Sequence, residues 1–210
     1  MSFDEVVDAL TANAVTLITG PPMTGKYDFL VRVVAETSDG VIFVTTKHGA
    51  GRVIDDFRSR NEAFPNSRFG VIDCVGDQWR DDDPSIDPYV RYVNGPGDLT
   101  SIGVQFTELS TAFRGPEEGE RVAIGLHSIS QLVMNADFER VYKFLQVLTG
   151  QIRTAGWYGL CVAEQRGTDD LETTMLKHHF DNVIEIREAE DGRREYRIRG
   201  RTQTAGWEPY

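Results

Sequence analysis

The chain has 210 residues, of which 40% are hydrophobic and 26% are charged, and it contains two cysteines. This length and composition suit one compact domain whose core needs no disulfide or metal ion to hold it together. Acidic residues number 33 and basic residues 22, which gives a formal net charge of −11, and only four of the basic residues are Lys. So acidic a surface argues against nucleic acid and anionic membranes as partners, and it fits a protein that stays soluble in a very salty cytoplasm.

The cysteines and the N-terminal segment both indicate the cytoplasm as the compartment. Cys74 and Cys161 lie in separate apolar runs without a CxxC partner, as buried free thiols do in a reducing compartment. Residues 1–13 lack the basic and apolar regions of a signal peptide. No apolar run approaches the ~20 residues of a membrane span, so we expect a cytoplasmic protein.

Short apolar runs alternate with helical patterns along most of the chain. The apolar runs are partly β-branched and predict strands buried on both faces; they comprise residues 14–19, 41–46, 68–76, 121–128 and 158–165. Apolar residues spaced by three and four predict helices between them, over residues 27–37, 53–59, 99–115 and 138–156. The alternation predicts an α/β fold with a mostly parallel central sheet flanked by helices.

Two later features depart from this alternation. Residues 77–98 carry five Asp before Pro88 and a Gly-Pro-Gly sequence at their end, which predicts a long acidic surface loop. Residues 183–201 alternate around Asp191-Gly192, which predicts a C-terminal β-hairpin. We expect the tail, residues 202–210, to pack across the surface of a single domain formed by residues 1–210.

A candidate phosphate-binding loop follows the first predicted strand directly and leads into the first predicted helix. It matches the P-loop pattern GxxxxGK[ST] at seven of eight positions, in the strand–loop–helix context that the pattern requires. In such a loop, backbone N–H groups and the helix N-terminus face the phosphates, and the Lys reaches the β- and γ-phosphates. The predicted nucleotide-binding residues are Gly20, Pro21, Pro22, Met23, Thr24, Gly25, Lys26 and Tyr27.

The eighth position of the loop departs from the pattern. Ser or Thr would offer Mg²⁺ a hydroxyl there, but the chain has Tyr27, whose phenol cannot reach a metal ion from that position. We expect phosphate binding to survive this change better than metal positioning does. His48 and His178-His179 lack the ligand spacing of a zinc site, so we predict no resident metal ligands.

The sequence resembles the KaiC-like branch of the RecA-superfamily ATPases, of the archaeal kind found in halophiles. The resemblance covers roughly residues 5–201 and rests on five segments in order: TLITGPPMTGK, VIFVTTKH, PGDLTSIGVQFTEL, RVAIGLHSISQL and FDNVIEIREAEDGRREYRIRG. It implies a RecA-like P-loop NTPase fold, ATP or ADP as cofactor together with Mg²⁺, and a homo-oligomer or a protein partner.

Two further positions depart from what this resemblance implies. An acidic general base is expected after the second strand, where the chain has Thr45-Thr46-Lys47-His48. A metal-positioning Asp is expected at the end of the strand before Ser128, where the chain has His127. The general base, the metal-positioning Asp and the P-loop hydroxyl are thus all missing, which predicts weak or absent hydrolysis of the nucleotide. Asp73, which ends an apolar run of its own, is an alternative metal ligand, or else an ordinary carboxylate at a strand end.

The resemblance also implies roles for three residues near the C-terminus. Gln165 occupies the place of a sensor residue that could bind the γ-phosphate. Arg197 and Arg199, in the sequence RIRG, match a basic motif that reaches into the site of a neighbouring subunit. Six Arg lie between Arg187 and Arg201, and the alternative is that they pair with acidic residues of the opposite strand.

Three functions remain open from the sequence alone. In the first, the protein binds ATP or ADP as a regulatory or assembly switch and hydrolyses it slowly or not at all. In the second, it is an active ATPase in a mixed oligomer whose partner supplies the missing groups. In the third, it is a nucleotide-free scaffold in which Tyr27 fills the phosphate pocket.

Overall fold

A computed structural model describes residues 6–7, 10, 13–60, 68–75, 89–113, 120–165, 171–201, 203 and 206–210. The strands of these residues are β1 (Val15–Gly20), β2 (Gly40–Thr45), β3 (Phe69–Asp73), β4 (Val90–Tyr92), β5 (Val122–His127), β6 (Tyr158–Glu164), β7 (Asn182–Glu188), β8 (Arg194–Gly200) and β9 (Glu208–Pro209). The helices are α1 (Lys26–Thr37), α2 (Ala50–Arg58), α3 (Leu99–Ala112), α4 (Ile129–Asn135), α5 (Phe138–Thr154) and α6 (Leu171–Lys177). In the helix α6, the side chains of residues 171–173 are not described.

The described strands form one sheet in the order β4-β3-β2-β5-β6-β1-β7-β8-β9. The seven strands from β4 to β7 pair in parallel, whereas β7, β8 and β9 pair antiparallel. The strands β7 and β8 form the hairpin that the alternation around Asp191-Gly192 predicted. The predicted fold class, an α/β protein with a mostly parallel sheet and a C-terminal hairpin, is therefore confirmed.

Two apolar layers cover the two faces of the sheet. Every residue of β1, β2 and β5 is buried, because helices pack on both sides of these strands. On β2, Val41 and Phe43 pack with α1 and α2 on one face, whereas Ile42 and Val44 pack with α3, α4 and α5 on the other. This two-sided burial explains why the strands are continuous apolar runs. Both cysteines are free and buried, as predicted.

The structure departs from the predicted elements in three places. The strand β4 lies inside the segment 77–98 that was predicted to be a loop, and residues 77–88 of that segment lie outside the described part of the chain. The helices α4 and α6 were not predicted, because seven residues show too little of the helical period. The helix α2 begins at Ala50, three residues before the apolar stripe that predicted it.

Parallel pairing brings the carboxyl ends of four strands to one edge of the sheet. In the strand order, β5 lies between β2 and β6, and β1 lies next to β6. The register pairs Thr45 of β2 with His127 of β5, and Gly20 of β1 with Glu164 of β6. Residues that follow these strands are thus adjacent in space although they are far apart in the sequence. None of the described helices is long and apolar enough to cross a membrane.

Candidate functional site

The loop between β1 and α1 has a backbone that glycine makes accessible. Gly20 has a φ of 153° and Gly25 a φ of 82°, both in the region that L side chains disfavour, and Met23 has a φ of 64°. A Cβ added to Gly20 would lie 2.1 Å from the carbonyl oxygen of Ile186 on β7. The two glycines therefore allow the tight turn, and Gly20 also allows the close approach of the neighbouring strand.

The ammonium group of Lys26 is folded back onto this loop. Its Nζ donates to the carbonyl oxygen of Pro21 and lies 3.4 Å from Oγ1 of Thr24, and the residue is 5% exposed. Burial lowers the pKa of Lys26; the Glu164 carboxylate opposes this shift and the Lys47 ammonium adds to it. Among the described residues, the ammonium contacts one carbonyl and one hydroxyl and has one carboxylate nearby, so an anionic ligand could pair with it.

The side chain of Tyr27 turns toward α2. Its hydroxyl donates to Oδ2 of Asp56 at 2.8 Å, and its ring centroid lies 4.6 Å from that of His48 and 4.8 Å from that of His127. Burial and the hydrogen bond to Asp56 raise the pKa of Tyr27, so the phenol stays neutral. Because the hydroxyl is held on α2, the contacts give no support to a phenol that fills the phosphate pocket.

His127 and His48 complete a cluster with Tyr27, which we call the imidazole–phenol cluster. The two imidazole rings stack with centroids 5.6 Å apart and an interplanar angle of 12°. Burial, with help from His48, lowers the pKa of His127 to about 3. Nδ1 of His127 is buried without a hydrogen-bond partner among the described residues. Both imidazoles are therefore neutral near pH 7, since burial also lowers the pKa of His48.

Tyr27, His48 and His127 come from three separate segments, and each lies at a position that departs from the expected motif. The hydroxyl expected at position 27 is replaced by a phenol that bonds Asp56, and the carboxylate expected at position 127 by a neutral imidazole. Within the described residues, no group of three or more His, Cys, Asp or Glu could hold a metal ion. Tyr27, whose hydroxyl is held by Asp56, and His127, a neutral imidazole, therefore do not offer Mg²⁺ the oxygen ligands expected at their positions.

Asp73 serves the start of α2. Its carboxylate accepts the N–H groups of Ala50 at 2.7 Å and Val75 at 2.8 Å, and the residue is 3% exposed. Burial raises its pKa, and the two backbone hydrogen bonds oppose the shift. The strand-end alternative for Asp73 is the one these contacts favour, because both carboxylate oxygens are used by backbone donors.

Lys47 and Glu164 form an ion pair at the same edge of the sheet. Nζ of Lys47 lies 2.8 Å from Oε1 of Glu164, and the side chains are 31% and 30% exposed. Next in the chain, the backbone N–H of Gln165 donates to the carbonyl oxygen of Gly20 at 3.0 Å. Gln165, predicted as a sensor, is thus tied by its backbone to the first residue of the loop.

Three of the hairpin arginines pair with acidic residues of the opposite strand. Arg197 and Arg199 both pair with Glu185, the latter at 3.2 Å, and Arg187 pairs with Glu195 at 2.7 Å. The ring of Trp207 lies 4.0 Å from the guanidinium of Arg187 and 4.4 Å from that of Arg197. Within this chain, the two candidate clamp residues therefore make the cross-strand pairs that were the alternative interpretation.

The tail contacts the phosphate-binding loop, which the sequence did not indicate. The hydroxyl of Tyr210 donates to the carbonyl oxygen of Thr24 at 2.8 Å, and the Tyr210 ring packs edge-on against Phe29, with ring centroids 4.8 Å apart. Arg194 lies against Gly25, where an added Cβ would come within 2.5 Å of its Nη1. Sequence reasoning predicted only that the aromatic tail packs on the domain, and no motif pointed to Asp56.

Comparison with known proteins places the chain in a family and a fold. Among solved structures it is similar to the KaiC-like protein PH0186 from the hyperthermophilic archaeon Pyrococcus horikoshii OT3, with a TM-score of 0.62 and 15% sequence identity over 95% of this chain and 84% of that one. At this identity the likeness shows the fold alone, a RecA-like fold of the KaiC-like kind. No curated protein matches the sequence. A family model described as a family of unknown function, DUF7504, matches residues 14–186, and the chain therefore belongs to this family.

Proposed function

We propose that the protein binds ATP or ADP through residues 20–27 and works as a nucleotide-dependent regulatory or assembly switch. The observation that carries the proposal is the loop itself, with left-handed Gly25 immediately before α1 and the buried Lys26 ammonium folded onto Pro21 and Thr24. Phosphate oxygens would replace these two partners and meet the N–H groups at the start of α1. The RecA-like fold supports the same use of the loop.

We further propose that hydrolysis is weak or absent. Hydrolysis by such a site needs a carboxylate to activate water and ligands to place Mg²⁺. The position after β2 carries Lys47 and His48 instead, and His127 is neutral. A neutral imidazole can neither replace a carboxylate near a hydrated cation nor balance its charge.

The binding experiment uses a fluorescent ATP analogue and an ADP analogue, with fluorescence anisotropy as the readout. Because a protein of charge −11 is expected to need high salt, the titration is done at both low and high salt. We expect saturable binding that Lys26→Ala abolishes. Lys143→Ala is the matched control, because it removes an exposed Lys that pairs with Glu139 on α5. No binding at millimolar nucleotide in either buffer would overturn the proposal.

The hydrolysis experiment measures phosphate release from saturating ATP. We expect a rate no higher than that of Lys26→Ala. Turnover above this background, lost in Lys26→Ala, would instead favour the active ATPase of a mixed oligomer.

Assembly belongs to the same proposal. On the likeness to a KaiC-like structure, we propose a homo-oligomer or a protein partner in the cytoplasm of a cell with high internal salt. Because Arg197 and Arg199 share Glu185 within the chain, either residue must leave that carboxylate before it can reach a neighbouring site. Light scattering with and without nucleotide tests this point: we expect the mass to change on nucleotide binding, and an unchanged mass would contradict the assembly switch.

A further inference from the structure

The Lys47 side chain reaches the region of the phosphate-binding loop from a strand that is not adjacent to it. Lys47 follows β2, and its Nζ lies 2.8 Å from Oε1 of Glu164 at the end of β6. The strand β5 separates β2 from β6, so the Lys47 side chain spans β5. Glu164 in turn is in register with Gly20, the first residue of the loop. The Glu164 carboxylate and the Lys47 ammonium both act electrostatically on Lys26, so the ion pair lies beside the loop.

Among the described residues that interact at this edge, two lysines are charged, and the phenol and the two imidazoles are neutral. Lys26 and Lys47 are cations that act on each other, because the Lys47 charge contributes to the lowered pKa of Lys26. Tyr27, His48 and His127 are neutral because burial opposes ionisation of each. Among the described carboxylates, Glu164 pairs with Lys47 and acts on Lys26, whereas Asp56 is turned toward Tyr27 and Arg52.

This distribution of charge has a chemical consequence for a bound polyphosphate. Adjacent phosphates of a nucleotide carry several negative charges, which a divalent cation normally offsets. The residues at positions 27 and 127 do not fit that cation. A second ammonium group close to the loop supplies positive charge without needing those ligands, and Lys binds phosphate well as a point charge on a flexible stem.

We propose that Lys47 takes the place of the divalent cation, so that the protein binds its nucleotide free of Mg²⁺. On binding, the Lys47 ammonium leaves the Glu164 carboxylate and pairs with the terminal phosphate, while Lys26 contacts the phosphates from the loop. The inference rests on the proposed function and adds to it the ionic form of the ligand and the residue that recognises it.

The move of Lys47 from Glu164 to the phosphate also explains why Lys47 lies after β2, where a carboxylate is expected. A carboxylate there would serve a site that activates water, but it would repel a metal-free polyphosphate. An ammonium attracts the terminal phosphate and takes no proton from water. Lys at this position thus favours stable binding of the nucleotide and disfavours its hydrolysis.

The test measures the affinity for ATP by calorimetry in two buffers, one with excess Mg²⁺ and one with excess chelator. We expect wild-type protein to bind at least as tightly in chelator as in Mg²⁺. Lys47→Ala should weaken binding in chelator by about tenfold or more, since a hydrogen bond between charged groups is lost. Glu164→Gln should strengthen it, because the amide neither holds Lys47 nor repels phosphate.

Two controls separate recognition from folding and from net charge. Lys47→Gln removes the charge but keeps a polar side chain, and it should weaken binding as Lys47→Ala does, with an unchanged melting temperature. Lys143→Ala makes the same change in net charge at an exposed position on α5 and should bind as wild type does.

The outcomes distinguish this inference from the proposed function. Wild-type protein that binds ATP only with Mg²⁺, or Lys47→Ala and Lys47→Gln proteins that bind as wild type does in chelator, would overturn the inference and leave nucleotide binding intact. Wild-type protein that binds ATP in neither buffer would overturn the proposed function, and the inference with it.

Discussion

The hydrogen bond between Tyr210 and the phosphate-binding loop offers a sharp test of how the loop is held. Tyr210→Phe removes the hydroxyl that donates to the carbonyl oxygen of Thr24 at 2.8 Å. The ring contacts with Phe29 and Tyr196 remain, because they involve the aromatic carbons alone. The substitution therefore isolates one hydrogen bond that joins residues 186 positions apart.

The size of the effect follows from the kind of bond that is lost. A hydrogen bond between neutral groups contributes about 0.5–1.5 kcal/mol to stability, and this bond is partly buried. Its loss should lower the free energy of unfolding by about 1 kcal/mol, which in a chain of this length lowers the melting temperature by about 2–4 °C. If the bond also keeps the loop in its binding conformation, the dissociation constant for nucleotide rises by at most about fivefold.

Thermal unfolding followed by circular dichroism measures the first effect, and titration with a fluorescent ATP analogue measures the second. Tyr142→Phe is the matched control, because its ring packs on His179 and its hydroxyl makes no hydrogen bond to the described residues. We expect the control to melt and bind as wild type does.

A Tyr210→Phe protein that melts with the wild-type protein would refute the reasoning, because the tail would then not hold the loop. A loss of affinity well above fivefold would also refute it, since one neutral hydrogen bond cannot account for such a change.

Three further predictions concern the loop, the imidazole–phenol cluster and the start of α2. Gly20→Ala should destabilise the fold by more than about 2 kcal/mol and abolish nucleotide binding, because of its φ of 153° and the crowded carbonyl beside it; Gly150→Ala, in open space on α5, should be neutral or stabilising in the same denaturant titrations. The pKa of His127 is about 3 in the folded protein and near 6.5 when unfolded, so the unfolded chain takes up a proton first and acid destabilises the fold. From pH 7 to pH 5 the wild type should lose about 2 kcal/mol more unfolding free energy than His127→Gln, and equal losses would contradict the buried neutral imidazole. Asp73→Ala should cost about 2–4 kcal/mol of unfolding free energy because one buried and one partly buried N–H donor lose their acceptor, with Asp73→Asn losing about half; a wild-type unfolding midpoint in urea would show that the carboxylate is dispensable.

The elements that could be predicted from the sequence are those set by local rules. Burial on both faces makes β1, β2 and β5 continuous apolar runs, and this pattern predicted them within a residue or two. The turn at Asp191-Gly192 predicted the hairpin because glycine accepts its φ of 80°. The short β4 and α4 were missed, since three or seven residues do not show a period.

In the candidate site, too, local features could be predicted from the sequence, whereas contacts between distant segments could not. The candidate phosphate-binding loop is a contiguous segment, so its glycines, Lys26 and the unusual Tyr27 can be recognised in the sequence alone, and its binding of phosphate stays a prediction. The substitutions at Lys47 and His127 could be identified too, but only as separate departures from a resemblance. Nothing local indicated that the Tyr27 hydroxyl would bond Asp56 or that Lys47 would pair with Glu164, 117 positions away.

The sequence by itself determined the α/β class, the glycine-containing turn between β1 and α1, and the hairpin, because periodicity, glycine conformation and turn chemistry act over a few residues. The tertiary structure decided which side chains meet at the carboxyl edge of the sheet. There the strand order places the ends of β2, β5, β6 and β1 side by side, and the tail returns Tyr210 to the loop. Those contacts depend on crossover topology and on the packing of distant segments, which single-residue patterns do not encode.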